Sequence, residues 1–486
     1  MATKKPNVVF VLTDDQGVWA AGCYGNSEIR TPNIDRIAAT GIRLENFFIT
    51  IPVCSASRAC FLTGRIPSQH GVHDFLTGKA AVGPEAKTFM DEEVCYTDVL
   101  NEHGWTCGLS GKWHLGHAML PQHGFSHWYA HPHGAGQYND QEMIRNGEVE
   151  KSDGYFSTVI TDDALAFIDR HADEDEPFYL SVNYTAPHAP WTGHPQDIVD
   201  SYYDCAFETC PQEDVHPWAI VPRSNDPAKA DPTTLGLSDN LGNRESLKGY
   251  FASVTAMDLE VGRLLDRLED LGIRDNTLFI FASDNGYSCG HHGFWGKGNG
   301  TNPVNMYENS IKVPFVASHP GVIPEGIVQS ALIASYDFMP TLLEYLDLPI
   351  PDTNLPGESF VQTLKGKDDP GRDSIVVYDE YGYCRMIRTE RWKYVHRYPD
   401  GPNELWDLVN DPGERENLID EAGHEELINE LKARMESFFG KYVDADKDGI
   451  TFDVGAGQHR PVGIKWDDGT DAFVYTAIKR KHPPKN

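Results

Sequence analysis

Six short stretches of the chain carry residue types that do chemistry: carboxylates, a cysteine, an arginine, lysines and histidines. Asp14-Asp15 follows an apolar run at 8–12, and Asp284-Asn285-Gly286 follows another at 277–283. Neighbouring carboxylates repel, so two such groups at one buried edge call for a cation. Three carboxylates and an amide oxygen form an oxygen-only donor set that suits Ca²⁺ or Mg²⁺ better than zinc. "DD" and "DNG" are also ordinary turn pieces, and each alone reads equally as a polar strand end. The third stretch is Cys54-Ser55-Ala56-Ser57-Arg58, running on to Leu62-Thr63-Gly64-Arg65. Ser55 and Ser57 are helix-capping types and Gly64 is a helix stop. Cys54 is then expected at a helix N-terminus, where the dipole and free N–H groups favour an anion. Arg58, four residues on, shares its helix face. A lone cysteine is otherwise a small buried hydrophobe. The last three stretches are Gly111-Lys112-Trp113-His114, Ala186-Pro187-His188 and Gly296-Lys297-Gly298. If the first of them is extended, Lys112 and His114 point the same way. Taken singly, each is a surface lysine or a satisfied histidine.

The elements that must position these residues alternate in type. Buried strands are expected at 7–13, 45–53, 177–184 and 277–283. A helix opens at Thr31-Pro32, with Thr31 placed to cap and Pro32 at the first position, and another runs over 245–271. Strands alternating with helices give an α/β fold, a mostly parallel sheet covered on both faces. Ligands of such sheets collect outside the carboxyl ends of the strands, where four of the six stretches fall. Residues 193–245, rich in Pro, Asp and Ser, read as a long irregular insert, functional or disordered. Composition shifts at 365–372. Short β-type runs follow at 374–378, 384–389, 392–398 and 405–408, broken by turns such as Pro399-Asp400-Gly401-Pro402, and predict a small antiparallel sheet. A helix is expected at about 421–441, and the tail from 442 is turn-rich. The organisation read from this is a catalytic domain, 1–370, and a smaller C-terminal subdomain with its tail, 371–486.

The chain has 486 residues, 40% of them hydrophobic, which is a globular composition. Lys+Arg 41 against Asp+Glu 73 gives a net charge of -32. A general surface this acidic excludes nucleic acid and anionic lipid as partners, so an anionic substrate must be gripped locally. No apolar run approaches the ~18 residues of a membrane span, and none at the start resembles a signal peptide. The expectation is a cytoplasmic protein, or a periplasmic one if a leader preceded it. Nine scattered cysteines do not form a disulfide framework, although Cys205 and Cys210 are near enough to pair across a loop.

As a set, the stretches resemble the type I (formylglycine-dependent) sulfatases of the alkaline phosphatase superfamily. Cys54-Ser55-Ala56-Ser57-Arg58 with Leu62-Thr63-Gly64-Arg65 is similar to the family signature. Asp14-Asp15, GKWHLG at 111–116, APH at 186–188, SDNG at 283–286, Gly296-Lys297 and Val313-Pro314 follow in the family's order. Met386-Ile387-Arg388-Thr389, Trp392-Lys393-Tyr394 and Glu404-Leu405-Trp406-Asp407-Leu408 are also family-like, so the resemblance spans about 7–420. It implies a large, mostly parallel sheet sandwiched by helices, with a smaller C-terminal α+β subdomain carrying an antiparallel sheet.

In that family a maturation enzyme oxidises the signature cysteine to formylglycine, which hydrates to a gem-diol. One hydroxyl attacks sulfur and the alcohol leaves; the other then loses its proton and sulfate is expelled. Carried over residue by residue, Cys54 is the nucleophile precursor. Asp14, Asp15, Asp284 and Asn285 hold Ca²⁺, with Mg²⁺ second, and the ion also contacts residue 54. Arg58 steadies the diol, Lys112 and Lys297 grip sulfate oxygens, His114 helps deprotonate the diol, and His188 donates a proton to the leaving oxygen. The resemblance implies hydrolysis of carbohydrate, aryl or alkyl sulfates to alcohol and inorganic sulfate. A phosphonate or phosphate ester hydrolase on the same scaffold and a silent binder of sulfated glycans are the alternatives. One departure bears on maturation: the commonest signature has proline two residues after the cysteine, where this chain has Ala56. His70, His73, His131, His133, Arg385 and the 193–245 insert are candidates for shaping the substrate subsite, without individual roles. Asp444-Ala445-Asp446-Lys447-Asp448-Gly449 opens like an EF-hand loop, but its twelfth position is Gly455 rather than Glu, so it reads as a turn with exposed carboxylates.

Overall fold

The spine of the molecule is β1 (Asn7–Asp14), buried along its whole length. In this computed structural model the described residues are 4–76, 80–84, 86–222, 240–301, 303–367, 371–379, 383–398, 401–450 and 478–480. Beside β1, the large sheet contains β2 (Ile42–Leu44), β3 (Thr106–Lys112), β4 (Phe125–His131), β5 (Glu142–Arg145), β6 (Glu148–Lys151), β7 (Phe178–Pro187), β8 (Thr277–Ser283), β9 (Phe315–Ser318) and β10 (Ile327–Gln329). Across the sheet the order is β10-β2-β9-β8-β1-β7-β3-β4-β5-β6. β1 pairs in parallel with β8, from Asn7↔Thr277 to Thr13↔Ser283, and with β7 on its other side. β3 is parallel to both β7 and β4. Five adjacent strands therefore run the same way at the centre, and antiparallel strands flank them.

Both faces of the centre are dry, as parallel strands require. Val8, Phe10 and Leu12 pack to one side with Phe61 and Phe338; the Phe10 and Phe338 rings stack at 4.7 Å. Val9 and Val11 pack to the other with Ile34, Ile160, Val261 and Leu264. The helices supplying those partners are α1 (Pro32–Ala39), α2 (Cys54–Thr63), α3 (Phe156–His171) and α4 (Arg244–Asp270), with Phe338 opening a further helix, Phe338–Tyr345. The mostly parallel sheet between helix layers is the architecture expected from the alternating pattern.

Two local expectations change. Thr31 makes no side-chain cap on α1. The Asp258 carboxylate of α4 takes that place, accepting the backbone N–H groups of Asn33 and Ile34 at 3.1 and 2.8 Å. The run 45–53 is not one strand: only Phe47–Phe48 forms a ladder, and 49–53 is buried irregular backbone. Its backbone groups are satisfied from outside, Ile49 N–H by the Ile311 carbonyl and Thr50 N–H by Ser335 Oγ. An apolar run looks alike whether it is a strand or a buried lead-in to a helix.

The insert at 193–245 carries a short helix, Gln196–Asp200, and the strand Ile220–Pro222, which pairs with Ile478–Arg480. Its residues 223–239 lie outside the described residues. Cys205 and Cys210 remain separate thiols. In the C-terminal region β11 (Ser374–Asp379), β12 (Cys384–Thr389), β13 (Trp392–Arg397) and β14 (Glu404–Asp407) form an antiparallel sheet, with α5 (Glu425–Tyr442) inserting Leu431, Met435 and Phe439 into the core. Pro399 and Asp400 of the expected turn lie outside the described residues, as does Gly455 of the EF-hand-like segment. In that segment Asp444 pairs with Arg65 at 3.1 Å and Asp448 with Arg385 at 2.7 Å, so two of its carboxylates have cationic side chains as partners. Among the described residues no helix is long and apolar enough to cross a membrane.

Candidate active site

The carboxyl ends of four neighbouring strands meet at one spot. β1 delivers Asp14 and Asp15, β8 delivers Asp284 and Asn285, β3 ends at Lys112, and β7 runs directly into His188. α2 starts above them at Cys54 and ends at Gly64, whose φ of 64° is the left-handed stop. Neither Ser55 nor Ser57 caps this helix: Ser55 Oγ instead accepts the Leu76 N–H at 3.0 Å. The uncapped N-terminus leaves its dipole directed at the strand ends.

Within the cluster, Cys54 Sγ donates to Asp14 Oδ1 at 3.3 Å and accepts from Asn285 Nδ2 at 3.3 Å and from Lys297 Nζ at 2.8 Å. Lys297 Nζ also donates to Asp15 Oδ1 at 2.5 Å. Lys112 Nζ pairs with Asp14 Oδ2. Arg58 Nε donates to Asp284 Oδ2 at 2.7 Å, and its Nη1 to the Lys112 carbonyl at 3.3 Å. His188 Nε2 is 3.6 Å from Asp15 Oδ2. One ligand atom from each of Asp14, Asp15, Cys54 and Asp284 falls within 4.8 Å of the others, and all four residues are buried. The geometry thus brings together nine of the ten residues singled out from sequence.

His114 stands at the edge. The strand ends at Lys112, and His114 takes a left-handed φ of 56°, so the extended alternation does not reach it. Its Nε2 meets the Leu76 carbonyl at 2.8 Å, while its Nδ1 is buried with no hydrogen-bond partner among the described residues.

The charges explain one another. Burial alone would raise the Asp14 carboxyl, but Lys112, His188, Lys297 and Arg58 outweigh it and hold the group ionised. Burial, with the Asp14 charge beside it, pushes Asp284 up to about 7. Burial also pushes the Cys54 thiol up to about 12. It opposes the charge on Lys297, yet Asp15 and its neighbours raise that ammonium well above the usual lysine range. Burial with the neighbouring Lys112 holds His114 well below the ordinary histidine range, so its ring is neutral.

Several supporting contacts had no sequence signal. Asn183 Nδ2 donates to the Lys112 carbonyl at 2.9 Å, fixing the end of β3. Gly286 admits no side chain, since a Cβ there would lie 2.2 Å from the Asn309 carbonyl oxygen; the "DNG" turn is held by close packing. Asn305 braces the backbone behind Lys297. Of the residues suggested for a subsite, His131 lies beside Lys112 in the β3–β4 register, and Arg385 Nη2 donates to Asp448 in the C-terminal region.

A parallel sheet whose strand ends gather carboxylates, lysines and a helix-borne cysteine is suited to holding a cation and gripping an anionic group. Comparison with known proteins makes the class specific. The sulfatase profile matches residues 6–348, and the chain belongs to the sulfatase family, the sulfuric ester hydrolases. A profile for the C-terminal part of N-sulphoglucosamine sulphohydrolase matches residues 290–440. The chain is 28% identical over 514 residues to an N-acetylglucosamine-6-O-sulfatase of Bacteroides thetaiotaomicron, covering 92% of this chain and 88% of the relative. It is 30% identical over 467 residues to an ulvan-active sulfatase of Formosa agariphila, covering 91% and 83%. A solved structure in complex with its substrate D-glucosamine-2-N,6-O-disulfate superposes with a TM-score of 0.77 at 26% identity, covering 92% of this chain and 99% of that one.

Proposed function

We propose that this sulfatase hydrolyses sulfate esters on saccharides. In this reading residue 54 is converted to formylglycine by a maturation enzyme, and Asp14, Asp15, Asp284 and Asn285 hold a divalent cation, Ca²⁺ before Mg²⁺. The observation that carries it is the convergence of Asp14, Asn285 and Lys297 on Cys54 Sγ at hydrogen-bond range. The relatives and the solved complex named for sulfated sugars support the saccharide.

The residues present fit a hard cation. Asn285 spends its Nδ2 on Asp284 and Cys54, while its buried Oδ1 has no hydrogen-bond partner among the described residues. An orphaned amide oxygen beside three carboxylates is a ligand set in need of an ion. When bound, the ion would supply Lewis-acid stabilisation of the transferring sulfate, and the modified residue 54 a hydroxyl nucleophile.

The chain's own residues do the rest. Three carboxylates, Asp14, Asp15 and Asp284, face three cationic side chains, Arg58, Lys112 and Lys297. That balance is near neutral without a cation, so a divalent ion would leave the pocket positive for an anionic group. Lys112 and Lys297, fixed by buried carboxylates, present charge that needs no reorganisation when negative charge develops. The His188 Nδ1 atom lies 2.8 Å from the Ala189 carbonyl and so carries a hydrogen toward it, leaving Nε2 toward the site to hold or give a proton at the leaving oxygen. His114 donates from Nε2 to Leu76, which leaves a neutral Nδ1 as a proton acceptor.

The test is a desulfation screen of matured protein over sulfated mono- and oligosaccharides, aryl sulfates and choline sulfate. Release of inorganic sulfate is expected chiefly from O-sulfated amino sugars and related sulfated saccharides. Turnover confined to aryl or choline sulfates would overturn the saccharide reading.

A further inference from the structure

Lys297 projects from a loop whose backbone is braced from behind by a buried amide side chain. Asn305 Nδ2 donates to the Lys297 carbonyl at 3.0 Å, the Gly298 carbonyl at 3.1 Å and Thr301 Oγ1 at 3.1 Å. Its Oδ1 accepts from Ser310 Oγ at 2.7 Å. Ser310 in turn accepts the Gly286 N–H on its carbonyl at 3.2 Å. Asn305 is 1% exposed. It therefore ties the loop of Lys297 to the turn of Asp284 and Asn285.

The carbonyls on either side of Asn305 are pinned by the C-terminal sheet. Arg397 donates to the Val304 carbonyl from Nη2 at 2.8 Å and from Nε at 3.2 Å. Lys393 Nζ donates to the Met306 carbonyl at 2.7 Å. Both cations lie on β13, four residues apart and so on one face of the strand. Both are buried against carboxylates, Arg397 on Glu404 at 2.9 Å and Lys393 on Glu308 at 3.0 Å and on Glu414. Buried charges that bond backbone carbonyls on both sides of one residue fix its position far more closely than apolar packing would.

We propose that Asn305 is a positioning residue for catalysis, and that Arg397 and Lys393 of the C-terminal sheet act through it to hold Lys297 Nζ against residue 54. The inference rests on the reading above, in which Lys297 grips the transferring group. Asn305 touches neither Cys54 nor the carboxylates; it acts by setting where the Lys297 backbone sits.

The experiment is a double-mutant cycle on the matured enzyme, with kcat and KM measured for wild type, Asn305→Ala, Lys297→Ala and the pair. Asn305→Ala should lower kcat by about 10- to 100-fold, the range for residues that orient a reacting group, with a smaller change in KM. In the Lys297→Ala background the same change should cost less than about twofold, because the group being positioned is gone. Ile168→Ala, a core truncation in α3 on the far face of the sheet, serves as the control and should lower Tm while leaving kcat intact. If Asn305→Ala does not fold, Arg397→Lys, which keeps the charge but not the paired bonds to Val304, must show the same non-additivity. Losses that multiply in the double variant, or an unchanged kcat in the single one, would overturn the inference while leaving the role of Lys297 standing. Full turnover in Lys297→Ala would overturn both.

Discussion

Lys297 Nζ lies 2.8 Å from Cys54 Sγ, although 243 positions separate the two residues in sequence. The lysine arrives on a loop that follows the short ladder of Ser288–Cys289 with Trp295–Gly296; the cysteine arrives on the first turn of α2. A fixed ammonium touching the sulfur places positive charge where, in the proposed function, the sulfate group would react. The thiol itself is a poor nucleophile here, since burial and the Asp14 carboxylate push it up to about 12 in spite of Lys112 and Lys297. Chemistry at this position therefore fits a modified side chain better than a thiolate.

Cys54→Ala should fold with nearly unchanged stability and lose turnover by on the order of 10⁴-fold or more, as removal of a nucleophile does. Cys54→Ser should behave alike. Wild-type-like turnover in either variant would end the formylglycine reading. Because Ala56 stands where the signature usually has proline, expression in a foreign host should leave a mixture of cysteine and formylglycine at residue 54. Mass spectrometry of the peptide measures the fraction, and complete conversion without added maturation enzyme would contradict this expectation.

Removing the cation should loosen the strand ends. Asp14, Asp15 and Asp284 are buried together and Asn285 Oδ1 has no hydrogen-bond partner among the described residues, so emptying the site forfeits the free energy of binding the ion there. A ligand present at about 1,000 times its Kd stabilises the folded state by about 4 kcal/mol. Exhaustive chelation should therefore lower Tm by several degrees and abolish turnover. Ca²⁺ should restore both better than Mg²⁺. A chelated protein with unchanged Tm and full activity would remove the metal from the mechanism.

Much of this site was legible in the sequence because four of the six stretches follow a recognisable buried run. Asp14-Asp15 and Asp284-Asn285 terminate apolar strands, and parallel strands in one sheet must bring their ends together. The contacts that support these residues gave no such signal. Asn183, Asn305 and Gly286 act through contacts with Lys112, Lys297 and Asn309, which adjacency in sequence does not reveal. The Thr31 expectation failed for the same reason: the carboxylate that caps α1 belongs to Asp258, 224 positions from Ile34. His114 illustrates the converse, since a strand that stops two residues early redirects the side chain after it.

His194 gives a pH prediction with a defined sign. Burial holds it down to about 3, and its Nε2 has no hydrogen-bond partner among the described residues. In the unfolded chain it titrates near ~6.5. Below that value the unfolded state binds a proton that the folded state refuses, so its contribution is complete above pH ~6.5 and is lost as the pH falls toward the folded value. Relative to wild type, Tm of His194→Gln should rise by about 1–2 °C as the pH is lowered from about 7 to about 5, for a chain of this length. A difference in Tm that does not change with pH would show that this imidazole is not held neutral.

How so acidic a protein captures an anion is the question Lys297 answers. The net charge of -32 repels an approaching sulfate at long range. In the proposed reading the attraction comes from Lys112, Lys297 and Arg58 together with the bound cation, whose charge outweighs the carboxylates these side chains pair with, inside a pocket where buried donors feel little salt screening. Lys297→Ala should cost roughly 2–4 kcal/mol in kcat/KM, the scale for one transition-state donor. Most of that loss should fall in kcat, because the interaction strengthens as charge moves onto the sulfate oxygens. Moderate chloride should leave wild-type kcat/KM unchanged or raise it, since it screens the repulsion outside more than the attraction within. Measuring kcat/KM against chloride for wild type and Lys297→Ala checks both halves. A steep fall with salt in the wild type would reveal a positive surface funnel and sink this account of capture.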